Sequence, residues 1–490
     1  MARRSRLLAL GGVLVLSGCA VGKNYERPEM PGPAQHRFLE GPAQAESIAD
    51  LPWWEFTKDP QLQSLIREAI AGNLDLRVAT ARVQEARAIA GVAKSFLYPE
   101  VGVGASYTTE GVSRETDPPS TFSGDRSRQN WTAGFTLSWE IDLFGRIRRE
   151  KEAAFARYLA TEQGRRAAVI TLVGDVGSLY YQLRQLDAQL EIARRTVASN
   201  DETVAYYQKR LKGGVSNHLE LDQAVANRSR TAVRIPEFQR NIAITEDALS
   251  VLLGRVPGPI ERSKPLSEQE IPPSVPAGLP AALLERRPDV VAAEEQLVAA
   301  NADVGAAKAL FFPTLSLTGF FGGVSHDLSN LLRTSARVWN ITPGLFQPLF
   351  QGGRIRRNYE AAQARFDQAV AQYRKSALDA YREVADSLVT LQTFGAQRTE
   401  LENGVVALQS AAKLSRSRYD AGLANYLEIL IADENLFDQE ILLAQTRGEE
   451  MRSYIQLYRA LGGGWPAEAG ANPPAPETPT PPAAPVTSSP

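Results

Sequence analysis

The sequence predicts an α+β membrane protein in which alternating strands feed very long helices, the whole unit occurring twice. Three observations predict it. An apolar alternating segment stops at glycine in Leu143-Phe144-Gly145-Arg146-Ile147-Arg148-Arg149, and again in Leu349-Phe350-Gln351-Gly352-Gly353-Arg354-Ile355-Arg356-Arg357. About 65 residues of helical pattern follow each, roughly 100 Å of helix at 1.5 Å per residue. Arg146 and Arg354, Glu220 and Glu428, Gly254 and Gly462 are each 208 positions apart by subtraction, so the unit is an internal duplication. Beyond the N-terminal targeting segment, no apolar run approaches the ~20 residues of a membrane helix. If the chain spans a membrane, it does so with strands.

Residues 1–18 have a basic start (Arg3, Arg4, Arg6) and an apolar stretch, the pattern of a signal peptide. Leu16-Ser17-Gly18-Cys19 resembles the bacterial lipobox, which implies cleavage before Cys19 and lipidation of that thiol. Ala20 follows, where lipoproteins kept in the inner membrane often carry Asp, so sorting to the outer membrane is expected. Cys19 is the one cysteine, so no disulfide forms within the chain. Residues 19–60 read as a lipidated tether, rich in proline, with Trp53 and Trp54 near its end.

Residues 61–97 are helical, and Tyr98-Pro99 stops them. The period then becomes two. Residues 98–144 form the first barrel hairpin, with a polar loop over about 109–128 and a return strand of Trp131, Ala133, Phe135, Leu137, Trp139 and Ile141 on one face. Strict alternation with Trp near each end fits a tilted transmembrane strand; a soluble sandwich hairpin is the alternative. Residues 145–254 are a periplasmic helical hairpin. Its outbound helix carries Leu172, Val176, Leu179, Leu183, Leu186, Leu190, Ala193 and Val197, a heptad seam that asks for partner helices. Gly213-Gly214 ends that helix, and the return is expected to kink at Pro236. A proline-rich equatorial connector (255–280) leads into the second repeat: helix over 281–311, barrel hairpin over 312–352, and helical hairpin over 353–462. The second return strand places Trp339, Ile341, Pro343 and Leu345 on one face, and the second seam includes Val384, Leu391, Phe394, Leu401, Val405 and Leu408. Residues 463–490 are Pro/Ala-rich and expected to be disordered.

Two hairpins supply four strands, too few to close a barrel, and an open edge cannot sit in lipid. The chain must oligomerise: two copies give eight strands with a filled interior, three give twelve with room for a lumen. A net charge of −2 argues against nucleic acid as a partner, and three histidines leave little material for a metal site. No clustered His, nucleophile motif or phosphate loop is present, so neither catalysis nor a cofactor is expected.

The chain resembles the TolC-like outer-membrane factor family, in its lipoprotein branch. The resemblance runs from Cys19 to Trp465 and rests on Asn24-Tyr25-Glu26-Arg27-Pro28, Trp53-Trp54-Glu55-Phe56, Asn73-Leu74-Asp75-Leu76-Arg77, Arg286-Arg287-Pro288-Asp289 and Ala307-Lys308-Ala309-Leu310-Phe311-Phe312-Pro313. It implies a homotrimer with a twelve-stranded barrel in outer-membrane lipid and a periplasmic helical tunnel. It also implies a periplasmic membrane-fusion adaptor and an inner-membrane pump of the resistance-nodulation-division type as partners, and multidrug efflux as the function. A type I protein-secretion duct is the alternative within the family, and a periplasmic coiled-coil adaptor the alternative outside it. The lipoprotein signal favours small-molecule efflux, and the alternating hairpins count against an adaptor.

In that family acidic residues ring the closed periplasmic end. The resemblance places Glu428 on one such acid and Ile431, a departure, on the second; Asp433 is out of register, and Glu220 and Asp222 lie at the other turn. The plain alternative is that these acids suit a helix N-terminus. Tyr419 matches a tyrosine that bonds the acid aligned with Glu220 in a closed-state latch. The second family latch falls on Ala424 and Leu219 and cannot form. Gly214, Val215, Leu423 and Ala424 are candidates for adaptor docking, against a plain turn. The Arg clusters at 146–149 and 354–357 face either inner-leaflet phosphates or nearby acids such as Glu150 and Glu152.

Overall fold

The structure, a computed structural model, describes residues 20–30, 32–33, 37–38, 58–111, 127–269 and 283–463. Cys19, the signal segment, Trp53-Trp54 and the C-terminal tail lie outside the described residues, as do the first hairpin loop (112–126), the end of the connector (270–280) and the first two residues of the helix expected after it (281–282). The elements in order are α1 (Pro60–Gly72), α2 (Leu74–Ser95), β1 (Glu100–Gly111), β2 (Ser127–Ile141), α3 (Arg146–Lys212), α4 (His218–Ala232) and α5 (Arg234–Leu252). Then come the short α6 (Leu283–Arg286), α7 (Pro288–Ala309), β3 (Thr314–Ser325), β4 (Arg337–Phe346), α8 (Arg354–Asp420) and α9 (Tyr426–Ala460).

The duplication is visible residue by residue. Helices α3 and α8 are both 67 residues long, and their first and last residues are 208 apart. The glycines that end or begin helices recur at the same offset in left-handed backbone: Gly145 and Gly353 (φ 82° and 84°), Gly214 and Gly422 (72° and 73°), Gly254 and Gly462 (76° and 72°). Only glycine adopts that conformation without a Cβ penalty, so these positions punctuate both repeats. Pro236 falls in the first turn of α5, where no helical partner for its nitrogen is needed; the return helix breaks just before it, at Val233. In the second repeat α9 runs unbroken.

The chain divides into two compact units. The first comprises residues 1–32, 75–167 and 287–379. Its sheet is a four-stranded antiparallel meander, β1-β2-β3-β4, so the second strand of one repeat pairs with the first of the other. Gly134 and Gly322 face each other there, and a Cβ on either would come within 2.6 Å of the other's Cα. The Phe320 ring lies over both. Pro343 sits in β4, an edge strand, where a missing N–H is tolerated. Ala153 and Ala156 of α3 pack on Ala299 and Ala302 of α7; small side chains let these helices approach closely.

The N-terminal segment docks on this unit. Val21 N donates to Phe144 O (3.0 Å), and Arg149 donates to Asn24 Oδ1 (2.9 Å). Arg27 clamps Glu294 of α7 through two bonds of 2.6 and 2.5 Å, joined by the Tyr25 hydroxyl at 3.1 Å. Asn24, Tyr25 and Arg27 of the quoted motif thus hold the tether to the body.

The second unit comprises residues 33–74, 168–286 and 380–490. Of the predicted seam, Leu172, Val176, Leu183, Leu186, Leu190, Ala193 and Val197 are buried and Leu179 is half-buried. Leu186, Leu190 and Ala193 pack against Phe238 of α5 and Phe437 of α9. The second seam is shallower: Val384 and Val405 are buried, and Leu391, Phe394, Leu401 and Leu408 half-buried. Asp59 caps α1 and accepts from Gln61 N, Leu62 N, Tyr180, Ser263 and Gln269. Asn73 Nδ2 donates to Leu252 O at 2.9 Å, closing the end of α5.

Candidate functional site: a two-faced sheet and the hairpin tips

Register divides the sheet into two chemically distinct faces. Val103, Phe135, Phe321 and Trp339 form one row across all four strands, each 54% to 77% exposed. The neighbouring row on that face is Val101, Leu137, Gly319 and Ile341. The alternate rows are mostly polar or small: Glu100, Ser138, Thr318 and Thr342 in one, and Gly102, Thr136 and Asn340 with the aromatic Phe320 in the next. An exposed apolar band backed by a hydroxyl-rich face is what a sheet needs with lipid on one side and water on the other. Tyr107 and Trp131 meet at 4.6 Å at one end of the band, and Trp139 Nε1 donates to Leu97 O at the other. Trp131 and Trp139 are eight positions apart, about 26 Å along a strand, close to the ≈25 Å height of a barrel's apolar belt. Among the described residues no helix is long and apolar enough to cross a membrane.

In the second unit, both hairpin turns are built alike. Val215 N bonds Arg210 O (3.0 Å), and Leu423 N bonds Arg418 O (2.8 Å), the six-to-one bond of a glycine-ended helix. Asn217 and Asn425 then cap α4 and α9, accepting from Glu220 N and Glu428 N. The Arg210 and Arg418 guanidinium groups donate to Val215 O and Leu423 O. Gly214, Val215 and Leu423 are exposed and Ala424 half-buried; exposed Leu219 and Leu427 extend the apolar surface of the tips.

Behind the turns, the structure brings the two hairpins of one chain together. Tyr207 (α3), Ala224 (α4), Tyr426 and Ile429 (α9) are buried in one cluster, with Tyr419 (α8) half-buried against it. Ring centroids are 4.6 Å apart for Tyr207–Tyr426 and 6.1 Å for Tyr207–Tyr419. Arg210 lies 5.5 Å from the Tyr206 and Tyr419 rings. Burial, then the hydrogen bond with Tyr419, raises the Tyr207 pKa, and burial with the nearby Asp433 charge pushes Tyr426 up to about 12. Among the described contacts the Tyr419 ring meets the Tyr207 ring edge-on, and Glu220 accepts from Ser216 Oγ at 2.5 Å. Tyr207 and Tyr426 escaped the sequence reading because their packing joins positions 219 apart.

The acids differ in setting. Glu428 and Asp222 are exposed, and Glu428 stands 3.6 Å from Arg418. Asp433 is half-buried and paired with Arg416 of α8 at 2.9 Å. Ile431 is exposed. Among the described residues, no group of three or more His, Cys, Asp or Glu is placed to hold a metal.

A membrane sheet of four strands per chain, each strand pair running on into a long helical hairpin, defines the wall of an outer-membrane channel. The chain belongs to the outer membrane efflux protein family, whose model matches residues 65–255 and again 279–463, once per repeat. It is 36% identical over 465 residues to the solvent efflux pump outer membrane protein SrpC of Pseudomonas putida, covering 94% of this chain and 98% of that one. Similarity to the cation efflux system protein CusC of Escherichia coli is 35% over 463 residues, covering 94% and 99%. A solved structure of CusC, described as forming a transmembrane channel, matches with a TM-score of 0.82 at 34% identity, over 91% of this chain and all of that one. SilC of Salmonella typhimurium, a probable outer membrane lipoprotein, is 33% identical over 466 residues, 94% and 99% of the two chains. The protein is accordingly an outer-membrane efflux channel component.

Proposed function

We propose that three copies of this chain close a twelve-stranded barrel that serves as the exit duct of a tripartite efflux pump for drugs or other small molecules. The observation that carries this is the apolar row reaching both edges of the sheet, Val103 on β1 and Trp339 on β4. Unpaired edges in lipid leave backbone groups unsatisfied at several kcal/mol each, and edge-to-edge pairing between copies removes them. Twelve strands leave a lumen, lined by the threonine- and serine-rich face.

In this reading a periplasmic membrane-fusion adaptor docks on the tips at Gly214, Val215, Leu423 and Ala424, with Leu219 and Leu427 widening the apolar contact. The adaptor connects the duct to an inner-membrane pump of the resistance-nodulation-division type. Glu428, exposed just past its turn, is the principal aperture acid, supported by Glu220 and Asp222. Asp433 braces α8 to α9 through Arg416, and Ile431 adds an apolar constriction. Closure rests on the Tyr207–Tyr419–Tyr426 cluster in place of the second family latch. Cys19 carries the lipid: Ala20, its neighbour, packs against Gly145 at the foot of β2. Relatives named for solvents and for cations are almost equally similar, so the cargo is assigned by class alone.

Native mass measurement of the detergent-solubilised protein tests the assembly. Three copies per particle are expected, and a monomer or dimer that still conducts in a planar bilayer would refute it.

A further inference from the structure

The two repeats end their membrane strands with the same basic signature and neutralise it differently. In the first repeat four carboxylates serve three arginines. Arg146 bonds Glu140 and Glu150, Arg148 bonds Asp142, and Arg149 bonds Glu152. In the second repeat, aligned before the turn on Leu143-Phe144 and Leu349-Phe350, the positions of Glu140 and Asp142 are Phe346 and Pro348; after the turn, aligned on Arg146 and Arg354, that of Glu150 is Asn358. One carboxylate then stands against three arginines and pairs with two of them: Arg356 and Arg357 converge on Glu360 at 2.9 and 2.7 Å, while Arg354 bonds the neutral Gln351 side chain. Their side chains are 80% and 81% exposed at Arg356 and Arg357, against 5% at Arg149.

The apolar residues beside them differ in the same sense. Phe144 stacks on Phe312 at 4.8 Å and lies under the N-terminal segment, and a Cβ on Gly145 would strike Ala20. In the second repeat Leu349 and Phe350 are 94% and 90% exposed, and a Cβ on Gly352 or Gly353 would meet nothing within 4 Å. An uncovered Leu-Phe pair thus follows a membrane strand directly and precedes an excess of two positive charges within about two turns of helix.

We infer that the second-repeat junction, Leu349, Phe350, Arg356 and Arg357, is a binding site for the phosphate headgroup of an anionic phospholipid in the periplasmic leaflet of the outer membrane. Leu349 and Phe350 lie against the acyl region. The two guanidinium groups, already converged on one carboxylate, present donors in the planar fork that suits phosphate oxygens. A carboxylate from a second copy of the chain would supply charge, yet would leave Leu349 and Phe350 without the apolar cover that acyl chains provide. The first-repeat junction, self-neutralised and covered by the tether, needs no lipid.

The full-length protein in detergent, titrated with phosphatidylglycerol and followed by native mass spectrometry, tests this independently of how many copies assemble. Each exposed arginine at an anionic surface contributes about fivefold, so R356Q/R357Q should bind about thirtyfold more weakly, R356K/R357K should retain most of the binding, and K375Q should match the parent. L349S/F350S should also lose phosphatidylglycerol, and inorganic phosphate should not displace the lipid from the parent. Equal lipid binding by R356Q/R357Q and the parent overturns the proposal. Displacement by inorganic phosphate with L349S/F350S unaffected reduces it to a free-anion site and overturns the lipid assignment. Dissociation of the R356Q/R357Q assembly into single chains with lipid binding intact assigns the patch to a neighbouring copy and overturns it too.

Discussion

Replacing Tyr207 by phenylalanine removes one hydroxyl from the cluster that ties α3 of the first hairpin to α8 and α9 of the second, leaving the packing in place. Tyr207 is 1% exposed, and interaction of its hydroxyl with Tyr419 contributes to its raised pKa. A net intramolecular hydrogen bond is worth about 1 kcal/mol. If opening separates the hairpins at all three copies together, the closed state loses about 3 kcal/mol, near 150-fold in the open-to-closed ratio at 1.4 kcal/mol per tenfold. Tyr207→Ala removes the buried ring as well, about 3–5 kcal/mol per copy, and should leave the aperture open throughout. Single-channel recording in planar bilayers reads both, with circular dichroism to verify that the hairpins remain helical. Because burial raises the Tyr207 and Tyr426 pKa values above the ordinary 10, Tyr426 to about 12, the neutral cluster should support closure at and below pH 10. That support should be lost as pH rises toward 12. Unchanged closed dwell times in Tyr207→Phe, with stability also unchanged, would refute the assignment of closure to this cluster.

Glu428→Gln should lower cation preference and weaken block by multivalent cations, while Asp433→Asn should spare selectivity and loosen the pairing with Arg416; bilayer recordings that show the reverse order would exchange the two roles. Asp59→Asn should cost about 2–4 kcal/mol, because an amide cannot accept all the donors a buried carboxylate accepts. Burial alone would raise the Asp59 pKa, yet bonds from Ser263, Leu62, Gln269 and Tyr180 outweigh it and hold it below 3.8. Its stabilisation is therefore present above that value and lost as pH falls through the lower folded pKa, so thermal melts of parent and variant should converge in strong acid. Cys19→Ser should abolish acyl labelling, and persistent label would place the lipid elsewhere.

Most of the secondary structure was legible because its signals are local. Gly145, Gly214 and Gly254 and their counterparts 208 positions on mark helix ends through backbone sterics alone. The strands announce themselves by period two, and Pro236 by its lack of an N–H. The seam of α3 was legible for the same reason, since period 3.5 needs no knowledge of the partner. The shallower burial of the α8 seam agrees with its patchier pattern.

Side-chain partnership was less legible. Nothing local says that Tyr207 meets Tyr426, that Asp59 gathers Tyr180, Ser263 and Gln269, or that Asp433 is taken by Arg416 while Glu428 stays exposed. Two identical Arg-Ile-Arg-Arg signatures read alike in sequence; their different fates depend on acids lost before the turn and on a tether folded back over only one of them. The sequence by itself determined the repeat, the lengths of its helices and the alternation of its strands, because backbone sterics and hydrophobic period act within a few residues. The tertiary structure alone decided how the strands of the two repeats align into one apolar band and which rings meet between the hairpins, because the β2–β3 pairing and the Tyr207–Tyr426 contact join groups more than a hundred residues apart.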